Sequence, residues 1–297
     1  MVVATGFFDG VHIGHRLVIE QLVKAAAVRG DKSMVITFWP HPRNVLQQEA
    51  RSLRLLTTLD EKKAILHSLG VDYVEVLQFT REFSRMTTEE YLRDIVRGRY
   101  GATAILLGYD NRMGADSLDS STVAKVAESL SIEVIRTGIV PFQGECAVSS
   151  TKIRECISRG DIHSAEQMLG YRYTIKGVVV EGNRVGRTIG FPTANLQLYE
   201  PLKLLPGNGV YLVGVHALGK DYMGMCNIGC RPTLGDGRSR TIETNIFDFD
   251  EDIYGLDLEL SFISKIRDEE KFDGLGSLSV QLAKDREVCF DIIGRMS

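Results

Sequence analysis

The chain has 297 residues, 44% hydrophobic and 25% charged, with a formal net charge of −4. That length exceeds one ordinary core and fits about two domains of ~150 residues; Lys and Arg spread along an acidic chain leave no polybasic surface, so no nucleic-acid partner is expected. No apolar run approaches the ~18 residues of a membrane span, and the five scattered cysteines read as free thiols of a cytoplasmic protein.

Through about residue 136 short apolar runs alternate with helical patterns. Strands are expected at Val2–Thr5, Met34–Phe38, Tyr73–Leu77, Ala104–Leu107 and Ile132–Ile135. Val18, Leu22, Ala25 and Ala26 form a helical stripe, and Thr58-x-x-Glu61 and Thr87-x-x-Glu90 read as capping boxes, with Gly70 as a stop. This alternation implies a parallel sheet covered on both faces, with ligands at the carboxyl ends of its strands. Thr151–Leu169 reads as two short connecting helices broken at Gly160. From about Tyr173 the rhythm becomes Tyr173–Val180, Gly209–Ala217, Tyr222–Asn227, Thr241–Phe249 and Leu256–Ile263, closed by one helix at about Ser277–Ile293. Strands in series predict a small antiparallel barrel.

The first chemical signal is Gly6-Phe7-Phe8-Asp9-Gly10-Val11-His12-Ile13-Gly14-His15, at a strand-to-helix switch. Free backbone N–H groups there favour a phosphate, two imidazoles three residues apart can address one anion, and Gly14 lets backbone approach it. The plainer reading is that the histidines only cap and pack the helix. Thr37-Phe-Trp39-Pro-His41-Pro42 leaves the next strand, its prolines holding the loop extended so that His41 reaches the same edge. Ser149-Ser150-Thr151-Lys152-Ile153-Arg154 puts hydroxyls and cations at a helix start, and Gly108–Gly114 is a candidate substrate loop.

In the second half, Gly186-Arg187-Thr188-Ile189-Gly190-Phe191-Pro192-Thr193-Ala194-Asn195 offers a flexible phosphate-covering turn and hard neutral oxygens at Thr193 and Asn195, suited to the Mg2+ of Mg-ATP. By itself it could equally be a barrel turn.

Together these segments resemble the bacterial bifunctional riboflavin kinase/FMN adenylyltransferase (FAD synthetase) family, over nearly the whole chain and in the same order. The resemblance implies a Rossmann-like nucleotidyltransferase domain over residues 1–169 and a barrel riboflavin kinase domain over 170–297. It implies that riboflavin is phosphorylated by ATP to FMN, and FMN then adenylylated to FAD. His12 and His15 would stabilise the ATP phosphates, with Gly6, Phe7, Asp9, Gly14, His41, Asp110, Arg112, Ser150, Thr151 and Arg154 around them. Glu243 would be the kinase base, Thr193 and Asn195 the Mg2+ ligands, and Gly186, Arg187, Gly190, Pro192, Asn227, Thr233 and Arg267 the flavin and ATP contacts. The chain departs from the family pattern at Asn111 and Met113, where aromatics are usual, and at Asn245, where His is common. The first departure frames the alternative, a riboflavin kinase whose first domain has drifted. A non-catalytic flavin carrier would need neither the paired histidines nor Glu243.

Overall fold

Five short apolar runs build an all-parallel sheet: β1 (Val2–Thr5), β2 (Ser33–Trp39), β3 (Tyr73–Gln78), β4 (Ala104–Leu107) and β5 (Glu133–Arg136), in the order β3-β2-β1-β4-β5. Val2, Ala4, Val35 and Leu106 point into one core, which α1 (Ile13–Arg29) and α3 (Leu59–Ser68) cover, with α2 (Pro42–Leu46) between them in the chain. Val3, Ile36, Ile105 and Leu107 point into the other, beneath α4 (Thr88–Glu90), its π-helical continuation Tyr91–Arg99, and α5 (Ser120–Ser129). Two buried faces explain why the inner strands β1, β2 and β4 read as nearly continuous apolar runs, while the edge strands β3 and β5 carry charged, partly exposed residues.

The computed structural model describes residues 1–46, 53–108, 113–136, 148–182, 185–232 and 238–296. By internal contacts the chain divides into Met1–Ser150 and Thr151–Ser297. The connecting helices α6 (Ser150–Arg159) and α7 (Ile162–Leu169), grouped with the first domain on sequence, therefore fall largely in the second unit, where α7 packs on a barrel strand. Gly160, with φ +80°, separates them.

The second unit is a closed antiparallel barrel of six strands: β6 (Thr174–Val180), β7 (Ala194–Leu198), β8 (Gly209–Ala217), β9 (Lys220–Pro232), β10 (Arg238–Ile246) and β11 (Asp257–Arg267), ordered β10-β7-β6-β11-β8-β9. Closure leaves no open edge. Between β6 and β7 lies the short α8 (Val185–Thr188), and after β11 comes α9 (Leu275–Met296), whose buried Cys289 joins Leu212, Met225 and Phe247 in one core.

Both capping boxes form as expected, at Thr58/Glu61 and Thr87/Glu90. The α1 stripe is rotated by one residue: Ile19, Leu22 and Ala26 are fully buried, while Val18 and Ala25 only flank them. The supposed phosphate-covering turn is partly regular, because Gly186 and Arg187 lie in α8 and Ala194 and Asn195 open β7. The loop after β2 is not extended throughout either. Pro42 begins α2, since its fixed φ suits a first helical position.

Candidate active sites

In the first unit the β1–α1 loop is held from below. Gly6 N–H donates to the Ile36 carbonyl at 3.1 Å, continuing the sheet. Asp9, expected near phosphate, is buried, and its carboxylate accepts from the Leu56 and Thr57 amides at 3.1 and 3.2 Å, which shapes the loop. Phe8 and Val11 take φ values of 52° and 34°, in the left-handed region that a β-branched residue enters only under strain. Such strain collects at functional loops.

His12 does cap α1, its Nδ1 accepting from His15 N–H at 3.3 Å. Capping is not its whole arrangement. The His12 and His15 rings stack with centroids 3.6 Å apart and planes 16° from parallel. His15 Nδ1 is buried and has no hydrogen-bond partner among the described residues, an arrangement native proteins avoid unless a ligand or water completes it. Burial, then His12, then the Lys62 ammonium hold His15 well below the ordinary imidazole pKa, so it is neutral at physiological pH. Gly14 serves this stack, since a Cβ there would stand 3.3 Å from the His12 ring. Gly14→Ala is expected to preserve or raise the melting temperature, because alanine favours helix by up to about 1 kcal/mol. By displacing His12 it should still lower any turnover that depends on the stacked pair ~10-fold or more; thermal melts and activity assays on one preparation check both directions.

The second motif does reach the first: the His41 ring lies 3.9 Å from Phe7, and its Nδ1 accepts from Arg43 N–H at 3.0 Å. Ser150 donates to the Asp9 carbonyl at 3.0 Å, tying the start of α6 to the same loop. Thr151 and Arg154 follow on α6, in the second unit. Asp110, Arg112 and Asn111 lie outside the described residues, whereas Met113 is buried and pairs with Leu118 through backbone hydrogen bonds of 3.1 and 3.3 Å. Sequence reading missed a cavity of about 440 Å³ that Gly6 and Phe7 share with Phe38, Phe79, Phe83 and Tyr91. Its rings meet at tilted and edge-on angles, centroids 5.6 to 6.4 Å apart, and Tyr91 Oη lies 2.8 Å from Thr5 Oγ1. These aromatics come from distant parts of the chain, so no local motif announces them.

In the barrel, Glu243 on β10 stands opposite Asn195 on β7 and opposite Asn227 on β9. Directly paired residues on neighbouring strands face the same side, so three expected site residues form one row. That row lines a cavity of about 300 Å³ together with Gly186, Thr193 and Arg267. Apolar walls come from Phe191, Val210, Met225 and Leu282. Alternation along β10 then sends Glu243 and Asn245 to this cavity, and Thr244 and Ile246 to a second of about 440 Å³ on the other face, with Arg187 and Pro192. Thr193 lines both.

Close packing fixes the turn between them. A Cβ at Gly186 would collide with the Phe191 carbonyl oxygen, and one at Gly182 would fall on the Asn195 amide. Asn245 donates from Nδ2 to the Pro192 carbonyl at 2.7 Å, so the residue that departs from the family's common His tethers the Thr193 turn. Arg267 is gripped by Asp285 of α9, 2% exposed, at 2.8 and 2.9 Å. Asp285 escaped notice because acidic residues on terminal helices are usually solvated. Gly190 sits in the turn with φ +81°, and Thr233 lies outside the described residues. Cys156, Cys226, Cys230 and Cys289 are free thiols, Cys146 falling outside the described residues; burial pushes Cys226 and Cys289 up to about 12.

A parallel-sheet unit with paired histidines at a strand end, followed by a closed barrel with a carboxylate beside a tight turn, defines a two-site transferase. The FAD synthetase family profile matches residues 1–152 and the riboflavin kinase profile residues 169–293. The chain is 38% identical to the bifunctional riboflavin kinase/FMN adenylyltransferase of Listeria monocytogenes, over 96% of this chain and 90% of that protein. It is 34% identical to the Bacillus subtilis protein of the same name, over 96% and 90%. A crystal structure from Streptococcus pneumoniae, described as a macrolide-efflux protein, superposes with a TM-score of 0.88 at 34% identity, covering 97% of this chain and 93% of that one. Among the described residues of this chain no helix is long and apolar enough to cross a membrane.

The chain belongs to the bifunctional riboflavin kinase/FMN adenylyltransferase family. It is an enzyme with both activities, and the drifted-domain alternative is not supported, since the first unit matches the FAD synthetase profile across its length.

Proposed function

We propose that phosphorylation of riboflavin takes place in the barrel beside Glu243 and adenylylation of FMN at the paired histidines. The orphaned, buried Nδ1 of His15 beside a stacked His12 carries the second assignment. A polyphosphate supplies acceptors that such a site lacks. The aromatic cavity sharing Gly6 and Phe7 suits the flat ring system of FMN, leaving its phosphate toward the β1–α1 loop. An oxygen of that phosphate attacks the α-phosphorus of ATP, the bond to the β-phosphate oxygen breaks, and pyrophosphate leaves. His12 and His15 offer N–H donors to the charge that builds on the α-phosphate, and Ser150 keeps their loop in register.

In the barrel, riboflavin would occupy the apolar cavity and ATP the second, their reacting ends meeting at Thr193. Glu243 accepts the proton of the ribityl alcohol as its oxygen attacks the γ-phosphorus and ADP departs. The donor set fits Mg2+: a hydroxyl and an amide oxygen are hard neutral ligands, and Gly182 leaves the space that the Asn195 amide fills. Bound there with ATP, the ion would neutralise phosphate oxygens. Asn227, paired with Glu243, and Arg267, fixed by Asp285, line the same cavity.

We place the functional boundary in the connecting helices, the kinase domain beginning near residue 170. The acidic net charge and free thiols support a cytoplasmic enzyme of small-molecule substrates, without nucleic acid. Purified protein given riboflavin and Mg-ATP should show FMN rising first and FAD following. FMN accumulating alone under ample ATP would contradict the assignment of the first unit.

A further inference from the structure

Lys62 on α3 is 1% exposed. Helical periodicity pairs it with the buried Leu66 one turn on, where an aliphatic residue would pack as well without desolvating a charge. Its Nζ lies 3.7 Å from the centre of the Phe7 ring and 3.5 Å from Thr37 Oγ1. The Thr37 hydroxyl in turn donates to the Phe7 carbonyl at 3.1 Å. Lys62 thus grips both the ring and, through Thr37, the backbone of the residue that joins β1 to the histidine loop. Phe7 also contacts His41 and lines the aromatic cavity.

Among the described residues the titratable groups facing this ammonium are Asp9 of the loop and His15 of α1. Asp9 favours the ammonium, but its carboxylate is already bonded to the Leu56 and Thr57 amides. The ammonium disfavours protonation of His15, as does His12. In the free protein the ammonium therefore sits close to Asp9 and to the paired imidazoles at once.

We propose that Lys62 is a positioning residue for adenylyl transfer, which seats Phe7 and the histidine loop for the nucleotide phosphates. The proposal rests on the assignment of His12 and His15 to that reaction. Burial lowers the Lys62 ammonium to about 8, so its charge fades as pH rises through that value.

The test is the pH dependence of kcat/KM for ATP in FAD formation by the full chain, with FMN formation by the barrel as internal standard. The wild type should decline above pH ~8, since kcat/KM reports groups of the free enzyme. Lys62→Arg keeps its charge over this whole range, so its alkaline decline should vanish while activity at pH 7 stays within several-fold of wild type. Lys62→Met should be reduced ~10–100-fold at pH 7 and flat between pH 7 and 9. Its acid limb should move up toward the ordinary imidazole value of about 6.5, because one source of repulsion on His15 is gone. Each variant should form FMN at the wild-type rate. A wild-type pH profile in Lys62→Met, or equal losses in both variants with lowered melting temperatures, would overturn the proposal by reducing Lys62 to packing. His15→Ala separates the two assignments: if it retains FAD formation the histidine site itself is wrong, whereas its inactivity beside an unaltered Lys62→Met refutes only the role of Lys62.

Discussion

Glu243→Gln is expected to lose riboflavin phosphorylation by ~10²- to 10⁴-fold, the usual loss on removing a general base, while still converting supplied FMN to FAD. The amide keeps the shape of the carboxylate, so the row Asn195–Glu243–Asn227 and the β10 pairings on either side should survive. Riboflavin binding should therefore persist, because the apolar walls at Phe191, Val210, Met225 and Leu282 are untouched. Flavin fluorescence titration beside a turnover assay separates the two quantities. Unchanged turnover would remove Glu243 from the mechanism, and loss of binding along with turnover would make it a structural residue of the cavity.

His15→Ala should do the converse, cutting FAD formation by ~10²- to 10³-fold, as when one preorganised donor is deleted from a site of developing negative charge. FMN formation should be unaffected, because the second unit has its own core and its own cavities. The substitution also removes an imidazole with an unsatisfied buried nitrogen, so stability should fall little or rise. Loss of activity with unchanged or improved stability is characteristic of a group retained for chemistry rather than folding. Because His15 is neutral well below pH 6.5, FAD formation should show no acid decline at the usual imidazole pKa.

Much of this arrangement was legible in the residues themselves. β1, β4 and β8 fall where their apolar runs begin and end, and both threonine capping boxes form, because those signals are local. β7 was hidden inside the Gly186–Asn195 motif. Its first residues read as the end of a phosphate-covering turn, and only pairing with β6 and β10 makes Ala194–Leu198 a strand. β9 is longer than its apolar stretch, since pairing on both sides carries the polar residues at its start and end into the barrel. The site histidines were visible as a spacing. Lys62 and Asp285 were not visible as buried groups, because a charged residue reads as solvated unless its burial is known. The aromatic cavity was invisible for another reason: Phe38, Phe79, Phe83 and Tyr91 are brought together only when β2, the segment after β3 and the helix following α4 assemble on one face of the sheet.

The division of labour between two separate catalytic sites is tested most directly by mixing His15→Ala with Glu243→Gln and following labelled riboflavin. Neither variant alone should carry the label to FAD. Together they should do so, with FMN released by the first and adenylylated by the second. FAD made from riboflavin by either variant alone, or a mixture that stalls although each partner keeps its own half-reaction, would contradict the account.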